Sequence, residues 1–177
     1  MSTTRGMWSE RTARVLSVII LGFYLGDVVL LGGLNPWALL LRGVWAGALL
    51  GYAAFNSTVS AAWERRLKDV HVILIMGCVL GIVALTGGVW SPYFVMVPVL
   101  PIANCLMYRR GARAGLLSGA VGSVGTFCMS WWMEHLLLES FMRTAIVLAI
   151  TLFTTYLAQQ MRQAQGHEQM MRLERAR

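Results

Sequence analysis

Charged side chains are scarce in this sequence. Asp, Glu, Lys and Arg make up 13% of the 177 residues, whereas 57% are hydrophobic and the mean hydropathy is +0.62. A soluble domain needs more charge than this to cover its surface. The scarcity therefore excludes an ordinary soluble protein and predicts an integral membrane protein whose first partner is the lipid bilayer.

Cysteine and histidine are equally few, with three of each. Cys78, Cys105 and Cys128 fall within apolar segments and form no CxxC pair, so neither a disulfide framework nor a thiol-redox pair is predicted. The three histidines are predicted to lie at three different depths relative to the bundle, so no metal or haem site is predicted. The sequence also has no Walker loop, GxSxG, HExxH or paired carboxylates, so it predicts no enzyme.

Long apolar segments dominate what is present. A membrane-spanning helix needs about 17–25 apolar residues, and six segments come close to or reach that length. We therefore predict an all-α, polytopic membrane bundle of six transmembrane helices over residues 15–158, after a cytoplasmic segment 1–14 and before a cytoplasmic helical tail 159–177. The predicted spans are Val15–Leu31, Trp37–Phe55, Val70–Leu85, Phe94–Tyr108, Ala114–Met133 and Phe141–Ala158.

The basic residues follow the topology of these segments. Of the 15 Lys and Arg, all but Arg42 and Arg143 fall in the termini, the second loop or the fourth loop, on one side of the predicted bundle. The positive-inside rule makes that side cytoplasmic, so both termini lie inside and three hairpins turn outward. The net charge of +7 is then a topology signal and not a sign of nucleic-acid binding.

Two charged residues interrupt the apolar segments of the first hairpin. Asp27 and Arg42 are equidistant from a turn at residues 34–35, which puts both about 11 Å below it at 1.5 Å per residue. We expect Arg42 to pair with Asp27, or else with Glu134 or Glu139, because intramembrane charges are costly unless paired. A structural ion pair is favoured; the functional alternative is that Arg42 holds the acidic head group of a ligand.

Glycines at four-residue spacing recur through the segments. Two such runs are Gly43–Gly47–Gly51 and Gly111–Gly115–Gly119. Small residues at this spacing let helix backbones approach closely, so they predict tight packing within the bundle or at a dimer face.

The tail carries a weak heptad pattern. Its seam alternates steps of four and three along residues Leu157, Met161, Ala164, Glu168 and Met171, with the charged Glu168 at one core position. One interpretation is a parallel homodimeric stalk that leads to a cytoplasmic kinase or other output domain. The other is an exposed basic tail, and the sequence alone does not decide between them.

One outer turn, TGGVWSPYF, combines two glycines with a Ser-Pro step and three aromatic residues. The stretch from Thr86 to Ala120 resembles the six-helix membrane sensor region of bacterial sensor histidine kinases, especially the RegB/PrrB redox-sensing type, in which a GGxxNPF turn precedes an apolar, proline-containing helix. Ser91 replaces the Asn of that motif and Tyr93 replaces the Phe. The resemblance implies a bacterial inner-membrane location and ubiquinone as ligand, with candidate contacts at Gly87, Gly88, Trp90, Ser91, Pro92 and Tyr93.

The function expected from these features is a signal-input module of a two-component system. It would sense quinone, redox state or another membrane-level stimulus and relay it through the last helix. The chain has neither the phosphoacceptor box nor the ATP-binding domain of such kinases. The alternatives are a six-helix solute-binding transporter subunit of the vitamin-uptake type and a structural membrane scaffold.

Overall fold

The computed structural model of the chain describes residues 10–55, 60–108, 111–135 and 137–175. These residues form helices and turns, without a strand. Backbone hydrogen bonds from Phe23 N to Ile19 O and from Asp27 N to Phe23 O continue through the junction of the first two helices, which therefore form one rod. The helices are α1 Glu10–Gly22, α2 Tyr24–Leu31, α3 Pro36–Phe55, α4 Ala61–Leu85, α5 Met96–Met107, α6 Gly111–Glu134 and α7 Leu137–Arg175.

Four stretches of these helices are long and apolar enough to cross a membrane. They are Arg11–Leu31, Pro36–Phe55, Trp63–Leu85 and Leu137–Met161, and Pro92–Met107 is a shorter apolar helix. The 24-residue α6 is less hydrophobic because glycine and serine occupy much of it. The fold is thus an all-helical bundle with four candidate spans, which is compatible with a membrane location.

Two helices extend beyond the predicted apolar segments. Helix α4 begins at Ala61 and not near Val70, so Arg65, Arg66 and Lys68 lie in its first turns instead of in a loop. Helix α7 runs without a break to Arg175. Helix-favouring Ala, Glu, Arg and Gln residues fill both extensions, which explains why the helices do not end where hydrophobicity ends.

Contacts between neighbouring hairpins place the turns of all three at one end of the bundle, which we call the turn end. The Tyr93 hydroxyl, in the α4–α5 turn, lies against Gly26 of the first hairpin. The same turn meets the third hairpin, because Gly88 lies against the side chain of Met133. With α1 and α2 counted as one rod, consecutive helices therefore run in alternating directions, as three consecutive hairpins require.

The helices form two groups joined by α4. Helix α3 packs on α1, α2 and α4, whereas α5, α6 and α7 pack on one another, with α4 contacting α5 and α6. No Cα atom of α1–α3 lies within 8 Å of one in α5–α7 among the described residues. The core is centred on α4, whose side chains at Val72, Ile75, Met76, Val79, Ile82 and Val83 are almost fully buried.

Glycines of α6 explain why α5, α6 and α7 pack closely on one another. A Cβ added at Gly115 would lie 2.9 Å from the Pro101 carbonyl oxygen of α5, and one at Gly119 would overlap Thr151 of α7. The glycines of α3 behave differently: nothing lies within 4 Å of a Cβ placed at Gly43, Gly47 or Gly51. The predicted packing within the bundle is therefore found for the glycines of α6 and not for those of α3, for which the dimer face stays a prediction.

We expect Gly119→Val to lower the free energy of unfolding by about 1–3 kcal/mol, the usual cost of overpacking a filled contact. Thr151 cannot easily yield, because its hydroxyl donates to the Val147 carbonyl at 2.8 Å. Gly47→Val is the matched control, since the space around Gly47 is open. Thermal unfolding in detergent compares the two, and equal melting temperatures would contradict the packing argument.

Candidate functional site: an apolar crevice between α1 and α5

A crevice of about 250 Å³ separates the two groups of helices. Helices α1 and α5 form its two sides and α3 and α4 its floor. Among the described residues, no Cα atom of α1 lies within 8 Å of one in α5, and the two helices meet through side chains, with Leu100 of α5 packed against the cluster that contains Ile20 of α1. The walls of the crevice are almost wholly apolar and include Ile20, Leu49, Ile75, Val79, Leu100 and Met107.

Polar side chains enter the crevice at two levels. Arg42 and Tyr93 lie toward the turn end, and Asn104 lies about 16 Å further along, judged from eleven residues at 1.5 Å each. The Asn104 amide is held in place by donating to the Ser118 hydroxyl of α6 at 3.1 Å. The crevice is thus an elongated apolar slot with hydrogen-bonding groups at both levels.

Asp27 and Arg42 form the ion pair that the hairpin spacing predicts. Arg42 Nε donates to Asp27 Oδ2 and Nη2 to Oδ1, both at 2.9 Å, and the side chains are 4% and 0% exposed. The alternative partner Glu139 instead meets Arg143 at 3.4 Å, as its i,i+4 spacing predicts. The side chain of Glu134, the other alternative, lies outside the described part of the chain.

The turn of the first hairpin sets the register of this pair. Gly32 ends α2 in the left-handed conformation, with φ of 68°. Asn35 then caps α3, because its Oδ1 accepts from the backbone N–H groups of Trp37 at 2.9 Å and Ala38 at 3.3 Å. With both helix ends fixed, Asp27 and Arg42 face each other.

Three aromatic rings surround the Arg42 guanidinium. Its Cζ lies 5.0 Å from the ring centroid of Tyr93, 5.7 Å from that of Phe23 and 5.8 Å from that of Trp45. Each distance is within cation–π range. Sequence reasoning missed Phe23 and Trp45, although a signal existed: Phe23 precedes Asp27 by four residues and Trp45 follows Arg42 by three, so each shares a helix face with a charged residue.

The α4–α5 turn uses most of its motif residues to build itself. Gly87 and Gly88 adopt positive φ of 116° and 61°, which glycine does without steric cost. Ser91 is buried; its Oγ lies 2.6 Å from Thr86 Oγ1 and accepts from the Tyr93 N–H at 3.1 Å. Pro92 then begins a short 3₁₀ turn that leads into α5.

The two aromatic residues among the six candidate contacts, Tyr93 and Trp90, lie in different environments. Tyr93 enters the crevice, with its ring on Arg42. Trp90 is 76% exposed and lies over Arg143 of α7, 5.3 Å from ring centroid to Cζ, beside a second hollow of about 200 Å³. Of the six turn residues singled out in the sequence, Tyr93 is the one that lines the crevice.

The predicted seam of the tail lies on α7. Leu157 and Met161 are exposed, by 43% and 59%, and Ala164 is exposed as well. The side chains of Glu168 and Met171 lie outside the described residues, although the helix itself continues through them. An exposed apolar face is what a partner helix needs, and the dimeric stalk stays a prediction.

The three cysteines form no disulfide with one another in the described part of the chain. Cys78 and Cys105 are buried, and Cys128 is exposed. Within the described ranges, no group of three or more His, Cys, Asp or Glu side chains is arranged to hold a metal ion.

No family model, curated protein or solved structure matches this chain. The likeness to sensor kinases therefore depends on the turn motif and the helix order alone. What the crevice can do must be argued from its own chemistry.

We expect Arg42→Met to lower the free energy of unfolding by about 3–5 kcal/mol, because it leaves the carboxylate of Asp27 buried without its counter-charge. The double variant Asp27→Leu, Arg42→Met removes both charges and should regain most of that loss. Thermal unfolding in detergent measures both. If the double variant were as unstable as the single one, the side-chain shapes and not the charges would hold the hairpin.

Proposed function

We propose that this protein is a membrane signal-input module that receives a lipid-soluble ligand in the crevice between α1 and α5. The observation that carries the proposal is the position of the crevice, between two groups of helices that make no direct backbone contact. A ligand there acts on the spacing of the groups. The ligand class we propose is a quinone, which the resemblance of the turn also implies.

In this proposal six helical rods cross the bacterial inner membrane, with α1 and α2 counted as one rod and each of α3 to α7 as another. Both termini lie in the cytoplasm. The large apolar side chains on the outside of the bundle support a lipid environment, since Leu25, Val29 and Leu34 are 73%, 80% and 81% exposed. Helices α5 and α6 are shorter or less apolar than the other rods, but they pack against several neighbours and present less surface to lipid. The uneven placement of basic residues gives the orientation.

The chemistry of the crevice suits a quinone. Its apolar walls accept an isoprenoid chain that enters sideways from the bilayer through the gap between α1 and α5. At the turn end, the Arg42 N–H groups that do not bond to Asp27 are donors for carbonyl oxygens, and the surrounding rings offer stacking surfaces. The same walls disfavour the transporter alternative, because a water-soluble vitamin would find few polar partners along them.

The α4–α5 turn provides a route from the crevice to α7. Tyr93 lies on Arg42 at the crevice, and Trp90 of the same turn lies on Arg143 of α7. A ligand that displaces Tyr93 therefore shifts a turn that also contacts the last helix. Since α7 is one helix to Arg175, a change in its tilt or rotation reaches the tail, where a homodimeric stalk would pass it to a kinase or other output partner.

Ala103→Phe should reduce quinone binding at least about tenfold, because Ala103 lines the crevice and a phenyl ring would fill it. The readout is quenching of Trp45 fluorescence by a short-chain ubiquinone in proteoliposomes, in a variant that retains Trp45 as its sole tryptophan. Ala120→Phe is the control, because Ala120 is exposed on α6. Absence of quenching without either substitution would contradict the proposal and favour a structural scaffold.

If α7 transmits the signal through a homodimeric stalk, cysteines placed along the tail seam should cross-link. With the native cysteines replaced, single cysteines at Met161, Ala164, Glu168 and Met171 should form intermolecular disulfides in native membranes, whereas cysteines at intervening positions should not. The physical reason is that seam residues of a parallel pair of helices face each other every three or four residues. Uniform or absent cross-linking would remove the stalk from the proposal.

A further inference from the structure

We infer that Asp27 is a specificity-determining residue that restricts the crevice to ligands with an uncharged, hydrogen-bond-accepting head group. The inference rests on the proposed function, in which the crevice binds a lipid-soluble amphiphile. It concerns a different property, the sign of charge that the site accepts.

The charge balance of the crevice depends on one contact. Among the described residues that line the crevice, Arg42 is the one with a charge. Alone it would attract an anion. Asp27 cancels that charge with two hydrogen bonds of 2.9 Å and is itself inaccessible, at 0% exposure. The ligand therefore meets the positive group of a neutral pair and not a free cation.

The ion pair leaves hydrogen-bond donors of Arg42 available to a ligand. A guanidinium carries five N–H groups, and Asp27 accepts from two of them. The Tyr93 ring lies 5.0 Å from the same guanidinium, and its hydroxyl is within hydrogen-bonding reach of Asp27 and Arg42 themselves. The remaining guanidinium N–H groups match a carbonyl, ester or ether oxygen.

An anionic head group would meet a penalty at the same place. Beside a neutral pair it would bring a net negative charge into an apolar slot and would lie near the Asp27 carboxylate, where the low dielectric strengthens repulsion. Asp27→Asn keeps the size of the side chain but leaves the charge of Arg42 uncompensated. The site should then bind anions, so Asp27 sets the preference.

The test uses two probes that differ only in head-group charge: a dibrominated long-chain fatty acid and its methyl ester. Bromine quenches tryptophan at contact, and Trp45 lines the crevice within 5.8 Å of Arg42, so quenching of Trp45 as the sole tryptophan reports occupancy of this site. The titrations are made in proteoliposomes at a pH that fully ionises the acid, with each probe's membrane concentration measured.

With Asp27 present, the ester should quench at a membrane concentration about tenfold or more below that of the acid, and Asp27→Asn should reverse the order. The double variant Asp27→Asn, Arg42→Gln carries no charge and should return to preferring the ester. Glu139→Gln, which alters the exposed pair with Arg143, should change neither titration.

Each outcome bears on a different claim. Equal quenching by the two probes with Asp27 present, or an unchanged order in Asp27→Asn, overturns the role of Asp27 while leaving the crevice as a binding site. Failure of both probes to quench Trp45 overturns the proposed function and this inference with it. If Asp27→Asn does not accumulate as folded protein, the ratio with Asp27 present decides: preference for the ester supports the inference and preference for the acid overturns it.

Discussion

The rest of the site depends on the ion pair between Asp27 and Arg42 inside an apolar bundle. Either charge alone would be very costly at this depth, so each requires the other, and this requirement stabilises the register that the turn of the first hairpin sets. The same pair holds the guanidinium where Phe23, Trp45 and Tyr93 meet around it. A structural interaction thereby also defines the polar end of the crevice.

The crevice exists because the two groups of helices are held together differently. On one side, glycines of α6 let α5 and α7 pack closely, with Gly115 against the Pro101 carbonyl of α5 and Gly119 against the Thr151 side chain of α7. On the other side, the rod of α1 and α2 packs closely on α3, whereas its Cα atoms stay more than 8 Å from those of α5 among the described residues. A well-packed group thus faces a less constrained hairpin, and the space between them is the part of the molecule that can change with least loss of packing.

Much of the fold could be predicted from the sequence, because hydrophobic segments and turn residues report local structure directly. The six rods and the Asp27–Arg42 register both follow from counting residues. The start of α4 was wrongly placed, since charged helix formers continue a helix without adding hydrophobicity, whereas the helical tail was predicted and α7 continues into it. The crevice could not be predicted, because it depends on how far apart the backbones of α1 and α5 lie, and a sequence pattern does not encode that distance.

The α4–α5 turn shows the same limit at the scale of one motif. Trp90 and Tyr93 are three residues apart, a spacing that would put them on one face of a continuous helix. Ser91 separates them instead, with an extended backbone at φ of −61° and ψ of 137°, and each residue belongs to its own short 3₁₀ turn. The two rings consequently contact arginines of different helix groups. A motif that looked like one binding surface in the sequence is a connection between the two helix groups, because Tyr93 lies on Arg42 of α3 and Trp90 on Arg143 of α7.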